Sequence, residues 1–269
     1  MQIVILAGGY GTRLSEETQN KPKPMVEIGD KPILMHIMQI YSHFGFNDFV
    51  VACGYKSNMI KQFFANYHLN YNDWQFDTSS GKHQIISANT PDWKVTCVDT
   101  GSETLTAGRI INLKPYLQKD TFMLTYGDGL ADINIRNLLK FHKNHNKIAT
   151  VTAVRPLARF GALCVQDNQV LNFSEKNALN VGWINGGFFV FEPEIFDYLT
   201  QNEPLEKAPL EKLAADKQLM ANFHDGFWQP MDTLREKKYL EQLYVAGKAP
   251  WIFDSNTNEM ENQNFKKNN

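Results

Sequence analysis

An apolar strand, Ile3-Val4-Ile5-Leu6-Ala7, runs directly into Gly8-Gly9-Tyr10-Gly11-Thr12-Arg13. Three glycines in four positions let successive amide N–H groups converge on an anion, and Thr12 and Arg13 set a hydroxyl and a permanent cation beside it. The chemistry this suits is phosphate binding. A Walker loop would need a Lys after the glycines, and none follows; a dinucleotide fingerprint would need a glycine where Leu14 stands. By spacing alone, a tight strand-to-helix turn that happens to carry an Arg remains the competing reading.

Further along, Lys21-Pro22-Lys23-Pro24-Met25 holds two cations in a stretch that its prolines keep extended. Lys23 is the preferred catalytic cation. In Thr121-Phe122-Met123-Leu124-Thr125-Tyr126-Gly127-Asp128-Gly129 an apolar strand ends in a carboxylate bracketed by glycines, at the strand end where open α/β sheets bind ligands. Asp132 lies too close behind, and in the wrong pattern, for an EF-hand loop and reads as a helix cap. In Gly226-Phe227-Trp228-Gln229-Pro230-Met231-Asp232-Thr233 a second Asp is delivered just before a helix. Asp232 suits an N-cap by type, but Asp128 and Asp232 could equally form the carboxylate pair that holds Mg²⁺ on a nucleotide. Polar groups among apolar strands at Arg159-Phe160-Gly161, Ser174-Glu175-Lys176 and Trp183-Ile184-Asn185-Gly186 would suit a sugar phosphate. The histidines form no Ser-His-Asp, Cys-His or His-Glu-x-x-His arrangement, and His142 and His145 read as solvent-facing on a helix. A phosphoryl transfer whose nucleophile is itself a phosphate needs no general base, because the second phosphate ionisation lies near pKa ~6.

Elements that would position these groups follow from the apolar pattern. Short apolar runs at 2–7, 48–53, 95–98, 121–126, 148–154 and 187–191 alternate with helical patterns at 33–44, 57–67, 107–118, 134–146, 206–216 and 232–246. That alternation predicts an α/β fold, a Rossmann-like, mixed and mostly parallel sheet flanked by helices, with a β-rich sugar-facing insertion within 155–192. The stretch 68–94 is polar and aperiodic. We expect a single domain over 1–253, with residues 1–150 mainly nucleotide-binding and 151–253 mainly sugar-phosphate-binding, followed by a polar, frayed tail over 254–269. A net charge of -2 supplies no basic field for nucleic acid or a membrane surface, so neither is an expected partner. No apolar run is long enough to span a membrane and no signal peptide is visible, so the expected location is the cytoplasm. Cys53, Cys97 and Cys164 are too far apart for a disulfide framework or a zinc cluster and read as small fillers in strands.

Taken together, Leu6-Ala7-Gly8-Gly9-x-Gly11-Thr12-Arg13-Leu14-Ser15-Glu16-Glu17-Thr18, Lys21-Pro22-Lys23-Pro24-Met25-Val26-Glu27-Ile28-Gly29, Thr125-Tyr126-Gly127-Asp128-Gly129 and the Trp228-Gln229-Pro230-Met231-Asp232-Thr233 stretch carry a resemblance. The chain resembles the nucleotidyltransferases that make nucleotide-sugars, and the Ser-Glu-Glu-Thr and Trp-Gln-Pro-Met-Asp-Thr stretches point to the branch that uses CTP and glucose 1-phosphate. The resemblance implies formation of CDP-glucose and pyrophosphate, feeding dideoxysugar synthesis for surface polysaccharide, by a Mg²⁺-dependent homo-oligomer. It implies that Leu6, Ala7, Gly8, Gly9, Gly11, Thr12, Arg13, Lys23, Thr104, Arg109 and Gly127 hold the nucleotide, with Arg13 and Lys23 catalytic. Asp128 and Asp232 would bind Mg²⁺, and Gly161, Glu175, Lys176, Asn185 and Gly186 the sugar phosphate. Two departures are visible: Asn177 follows Lys176 where the family usually has Pro, and Tyr10 is bulkier than the Leu often found in the glycine turn. The same chemistry on another base or acceptor, and a nucleotide-binding regulator without turnover, are the alternatives.

Overall fold

Strands that are apolar on both faces have to lie inside a sheet covered twice, and the longest apolar runs of this chain do so. The structure is a computed structural model that describes residues 1–87, 90–156 and 182–253 together with the backbone of 162–166 and 169–174. The strands are β1 (Gln2–Ala7), β2 (Glu27–Ile28), β3 (Lys31–Pro32), β4 (Asp48–Cys53), β5 (Asp73–Asp77), β6 (Lys82–Ser87), β7 (Lys94–Asp99) and β8 (Phe122–Tyr126). They continue with β9 (Gly129–Ala131), β10 (Ala149–Val154), β11 (Ala162–Gln166), β12 (Gln169–Ser174), β13 (Ile184–Phe191), β14 (Leu219–His224) and β15 (Trp228–Pro230). The helices are α1 (Ser15–Thr18), α2 (Ile33–His43), α3 (Ser57–Ala65), α4 (Tyr67–Tyr71), α5 (Thr106–Leu113), α6 (Ile135–His145), α7 (Ala208–Ala215) and α8 (Leu234–Val245).

Seven strands form the central sheet in the order β14-β10-β13-β8-β1-β4-β7. Its pairings are parallel except for those of β13, which runs antiparallel to both β8 and β10. The mixed, mostly parallel sheet is as expected. Alternate residues of β1 face two separate cores: Ile3 and Ile5 join Val51, Leu34 and Met38 on one side, while Val4 and Leu6 join Val50, Ile110 and Phe189 on the other. Reversal of β13 matters for function. It brings the start of that strand, Ile184 to Gly187, to the same sheet edge as the carboxyl end of β8, with Phe188 opposite Thr125.

Elements differ from expectation in particular places. The aperiodic stretch 68–94 holds all but the first residue of α4 and a hairpin, β5 with β6, whose side chains are almost all exposed and therefore carry no core periodicity. Helix α5 ends at Leu113 because Pro115 can donate no helical hydrogen bond; a 3-10 turn, Lys114–Tyr116, follows. Asp132 does not cap α6. Asn134 does, its side chain accepting from the Asn137 amide at 3.0 Å, while Asp132 is paired with His224 at 2.9 Å.

His142 and His145 are not solvent-facing as expected. His142 shares the inner face of α6 with Ile135 and Leu138 and is 1% exposed. Its Nε2 lies 3.0 Å from Glu192 Oε1, and its Nδ1 lies 2.8 Å from Thr150 Oγ1, which is 2.7 Å from His145 Nε2. The Lys147 amide donates to His145 Nδ1 at 2.9 Å and Thr121 Oγ1 donates to Glu192 Oε2 at 2.8 Å. Since a backbone N–H can only donate, His145 carries its proton on Nε2 and donates it to Thr150; with Thr150 donating in turn to His142 Nδ1, His142 donates from Nε2 to Glu192. With that polarity both imidazoles are neutral, in line with the burial that lowers the pKa of each. Polar neighbours in the sequence concealed this, because a buried histidine needs partners that only the folded sheet supplies.

Candidate active site

A cavity of ≈ 680 Å³ opens at the carboxyl ends of β1 and β8, beside the reversed start of β13. Central strand β1 has its parallel neighbours β4 and β8 on opposite sides, and a crevice at such a switch in strand order is where open α/β sheets hold ligands.

The glycine turn forms one wall. Gly11 has φ 65°, the left-handed region that glycine adopts without steric cost, and this lets the chain turn into a 3-10 helix, Thr12–Leu14. A Cβ on Gly8 would lie 2.2 Å from Arg109 Nη1, so a side chain there would displace the guanidinium. Arg109 is 4% exposed, and burial lowers its pKa. Its Nη2 donates to the carbonyls of Gly8 (2.9 Å) and Ser102 (3.1 Å). Its Nη1 donates to Thr100 Oγ1 and the Gly101 carbonyl, both at 2.7 Å, and more weakly to the Cys53 carbonyl at 3.4 Å. Arg109 therefore ties the ends of β1, β4 and β7 together beneath the cleft. The nucleotide role implied by resemblance would be exercised through the loops it holds.

Two distant segments deliver the carboxylates. Gly129, which follows Asp128, begins β9, and β9 pairs antiparallel with β15 two residues before Asp232. The ladder is prolonged by a bond from the Met231 amide to the Asp128 carbonyl at 2.8 Å. Asp232 does not cap α8; Thr233 does, in a reciprocal capping box with Glu236. Glu236 Oε2 also accepts from the Asp232 amide at 2.9 Å, which fixes that backbone and leaves the Asp232 carboxylate to point into the cavity wall.

The chain is extended through Pro22 but closes into a 3-10 turn at Lys23–Met25, where the Met25 amide reaches the Pro22 carbonyl at 2.8 Å. This turn buries Lys23 to 8% exposure beneath Gly11. Its ammonium lies 2.7 Å from Asp128 Oδ2 and 2.6 Å from Asp232 Oδ1, and Arg13 Nη1 lies 2.8 Å from Asp232 Oδ2. Burial alone lowers the pKa of Lys23, but Asp128 and Asp232 together outweigh it and the net shift is upward. Lys21 is paired with Glu27 at 3.2 Å, outside the cavity lining.

The opposite wall is a hydrogen-bonded series. Tyr126 Oη donates to Glu206 Oε1 at 2.5 Å and accepts from Asn185 Nδ2 at 3.3 Å, while Asn185 Oδ1 accepts from the Gly187 amide at 2.8 Å. Glu206 Oε2 accepts from Thr106 Oγ1 at 2.8 Å. Burial, reinforced by Glu206, raises the pKa of the Tyr126 phenol, which stays protonated. Trp228 Nε1 donates to the Gly186 carbonyl at 2.7 Å.

The structure brings Leu6, Ala7, Gly8, Gly9, Gly11, Thr12, Arg13, Lys23, Thr104, Arg109, Gly127, Asp128, Asn185, Gly186 and Asp232 to this one cavity. Gly161, Glu175 and Lys176 lie outside the described residues. Sequence reasoning gave no role to Tyr126, Thr106, Glu206 or Trp228. Tyr126 stood next to Gly127-Asp128, where alternation along the strand could have flagged it; Glu206 sits in a polar stretch with no local signal. Asp128 and Asp232 are the residues that could hold a divalent ion, with phosphates and waters completing its shell, and here both are paired with the Lys23 ammonium. Among the described residues no cluster of three or more His, Cys, Asp or Glu offers a metal site.

Residues 2–234 match the sequence profile of the Nucleotidyl transferase family. The chain is 51% identical over 253 residues to the glucose-1-phosphate cytidylyltransferase of Salmonella typhi, covering 93% of this chain and 98% of that protein. Identity to the protein of the same description from Salmonella typhimurium is also 51%, over the same shares of both chains. A solved structure of UDP-glucose pyrophosphorylase complexed with UDP-glucose superposes with a TM-score of 0.63 at 15% identity, covering 91% of this chain and 98% of that one. At that identity the likeness is one of fold.

Proposed function

The chain belongs to the nucleotidyl transferase family, and from that premise we propose that it transfers a cytidylyl group from CTP to α-D-glucose 1-phosphate, releasing pyrophosphate. The observation that carries the reading is the meeting of Lys23, Arg13, Asp128 and Asp232 beside the glycine turn, at the switch point of the sheet. The family's sugar 1-phosphate substrates carry their own nucleophile, an oxygen already anionic at neutral pH. No histidine lines the cavity among the described residues, in keeping with chemistry that needs position and positive charge, not a base.

In this reading the Gly8 to Thr12 turn aims amides at the triphosphate, and the Lys23 and Arg13 cations hold its α-phosphate and the leaving pyrophosphate. Asn185 and Gly186 present the sugar phosphate from the reversed strand, so that its oxygen approaches the α-phosphorus opposite the departing oxygen. Asp128 and Asp232 would hold Mg²⁺, which supplies charge neutralisation on the phosphates when bound. The proposal extends to a cytoplasmic homo-oligomer whose product enters dideoxysugar synthesis. Purified protein should be given each of the four NTPs with a panel of sugar 1-phosphates and Mg²⁺, and pyrophosphate release followed. CTP with glucose 1-phosphate should give the highest kcat/KM. Release with no pair, or a clear preference for UTP or GTP, would overturn the proposal.

A further inference from the structure

Two cations and two carboxylates make the floor of the cleft electrically neutral before any ligand arrives. Lys23 is hydrogen-bonded to both Asp128 and Asp232, and Arg13 takes the remaining Asp232 oxygen. A divalent ion added to this arrangement would displace a buried ammonium from its partners and leave two positive charges uncompensated in a site where Lys23 is 8% exposed. A nucleotide triphosphate changes that balance, because its phosphates give Lys23 and Arg13 new anions to pair with.

We infer that Lys23 is a placeholder cation: in the nucleotide-free protein it occupies the metal position between Asp128 and Asp232, and it yields that position only when phosphates arrive to receive it. This rests on the reading of Asp128 and Asp232 as metal ligands, and deepens it. Three features make the exchange practicable. The Lys23 stem is held beneath Gly11, with its Cβ 3.2 Å from where a Gly11 Cβ would stand, so the ammonium pivots from a fixed root and stays among residues lining the cavity. Arg13 is 71% exposed along its side chain and pairs at the cavity rim, so it can turn to a phosphate with little packing to break. The Asp232 backbone cannot follow either cation, since Glu236 holds its amide and the β9–β15 ladder holds the turn. The carboxylates stay and the cations move. Metal and nucleotide binding are then positively coupled, and the coupling is reciprocal.

The experiment is Mn²⁺ binding, read by electron paramagnetic resonance of free Mn²⁺, on nucleotide-free wild-type protein, on Lys23→Met and on Lys23→Met with Asp232→Asn. Circular dichroism checks each fold. Wild type should bind Mn²⁺ weakly without CTP and at least tenfold more tightly with it, once the Mn²⁺ complexed by CTP alone in a protein-free control is subtracted. Lys23→Met should bind at least tenfold more tightly than wild type without CTP, and Asp232→Asn should abolish that gain. Equal nucleotide-free affinities of wild type and Lys23→Met would overturn the placeholder role. Should Lys23→Met fail to fold, the wild-type comparison alone decides: tight Mn²⁺ binding without CTP overturns the inference. Mn²⁺ depletion that in every protein, with CTP included, does not exceed that caused by CTP alone would instead sink the metal reading of the two aspartates.

Discussion

Replacing Arg109 by Met separates a residue that holds loops from one that holds phosphate. Its side chain has nearly the volume needed to fill the space but no donors. Lost are four good bonds, two from Nη1 at 2.7 Å and two from Nη2 at 2.9 and 3.1 Å. A hydrogen bond to a charged group is worth about 1.5–3 kcal/mol net, but the sum is less than fourfold. Gly8 O keeps the Tyr55 amide at 3.1 Å, and the Gly101 and Ser102 residues are exposed, so their carbonyls recover water. The structure therefore sets the destabilisation of Arg109→Met at about 3–4 kcal/mol, a fall in Tm of about 10 °C for a chain of this size. Because the guanidinium spans Gly8 on one side and Gly101 on the other, a single ammonium in Arg109→Lys should recover less than half of this loss. Slackening of the Gly8 and Thr104 walls should raise KM for the nucleotide about tenfold (~1.4 kcal/mol) and leave KM for the sugar phosphate nearly unchanged. Urea denaturation followed by circular dichroism gives the first number and initial-rate kinetics the second. A loss of stability below about 1 kcal/mol, with activity nonetheless abolished, would show that Arg109 acts on the phosphates directly and refute the clamp.

Other consequences can be checked alongside. Burial lowers the pKa of both His142 and His145 in the folded protein, so the unfolded chain takes up protons first as pH falls below about 6.5. Stability is then full above that pH and declines below it, by at most about 1.4 kcal/mol per pH unit per histidine. His224, raised by Asp132 against the effect of its burial, contributes with the opposite sign. Urea midpoints across pH 5–8 should show a steeper acid decline in wild type than in His142→Gln, and parallel curves would contradict the neutral-imidazole network. Tyr126→Phe removes the bond that orients Asn185 and should raise KM for the sugar phosphate severalfold with kcat largely kept, whereas an equal rise in both substrates' KM would argue for general loosening. Chelation should stop pyrophosphate release reversibly without lowering Tm, because Asp128 and Asp232 already have Lys23 and Arg13 as partners; a large drop in Tm would mean a structural metal.

What the chain announces locally, it announces through residue type and short spacing. The run from Ile3 to Arg13 specifies a buried strand and a glycine turn because backbone freedom and apolar alternation are properties of adjacent residues. Asp128 was legible at its strand end for the same reason. The partnership of Asp128 with Asp232 was only a guess from sequence, as their turns are joined by β9–β15 pairing across a hundred residues of chain. Nor could spacing indicate that Arg109 would spend its donors on carbonyls, that His142 would be buried against Glu192, or that Glu206 would reach Tyr126. Each depends on which charged or polar groups become neighbours once water is excluded. By itself the sequence determined the glycine turn after the first strand, the α/β class and the carboxylates available. Only the tertiary structure decided that the reversed strand β13 brings Asn185 to the same edge, and that Lys23 sits between the two aspartates. Strand direction and ion pairing are settled by long-range packing and desolvation, which no local pattern encodes.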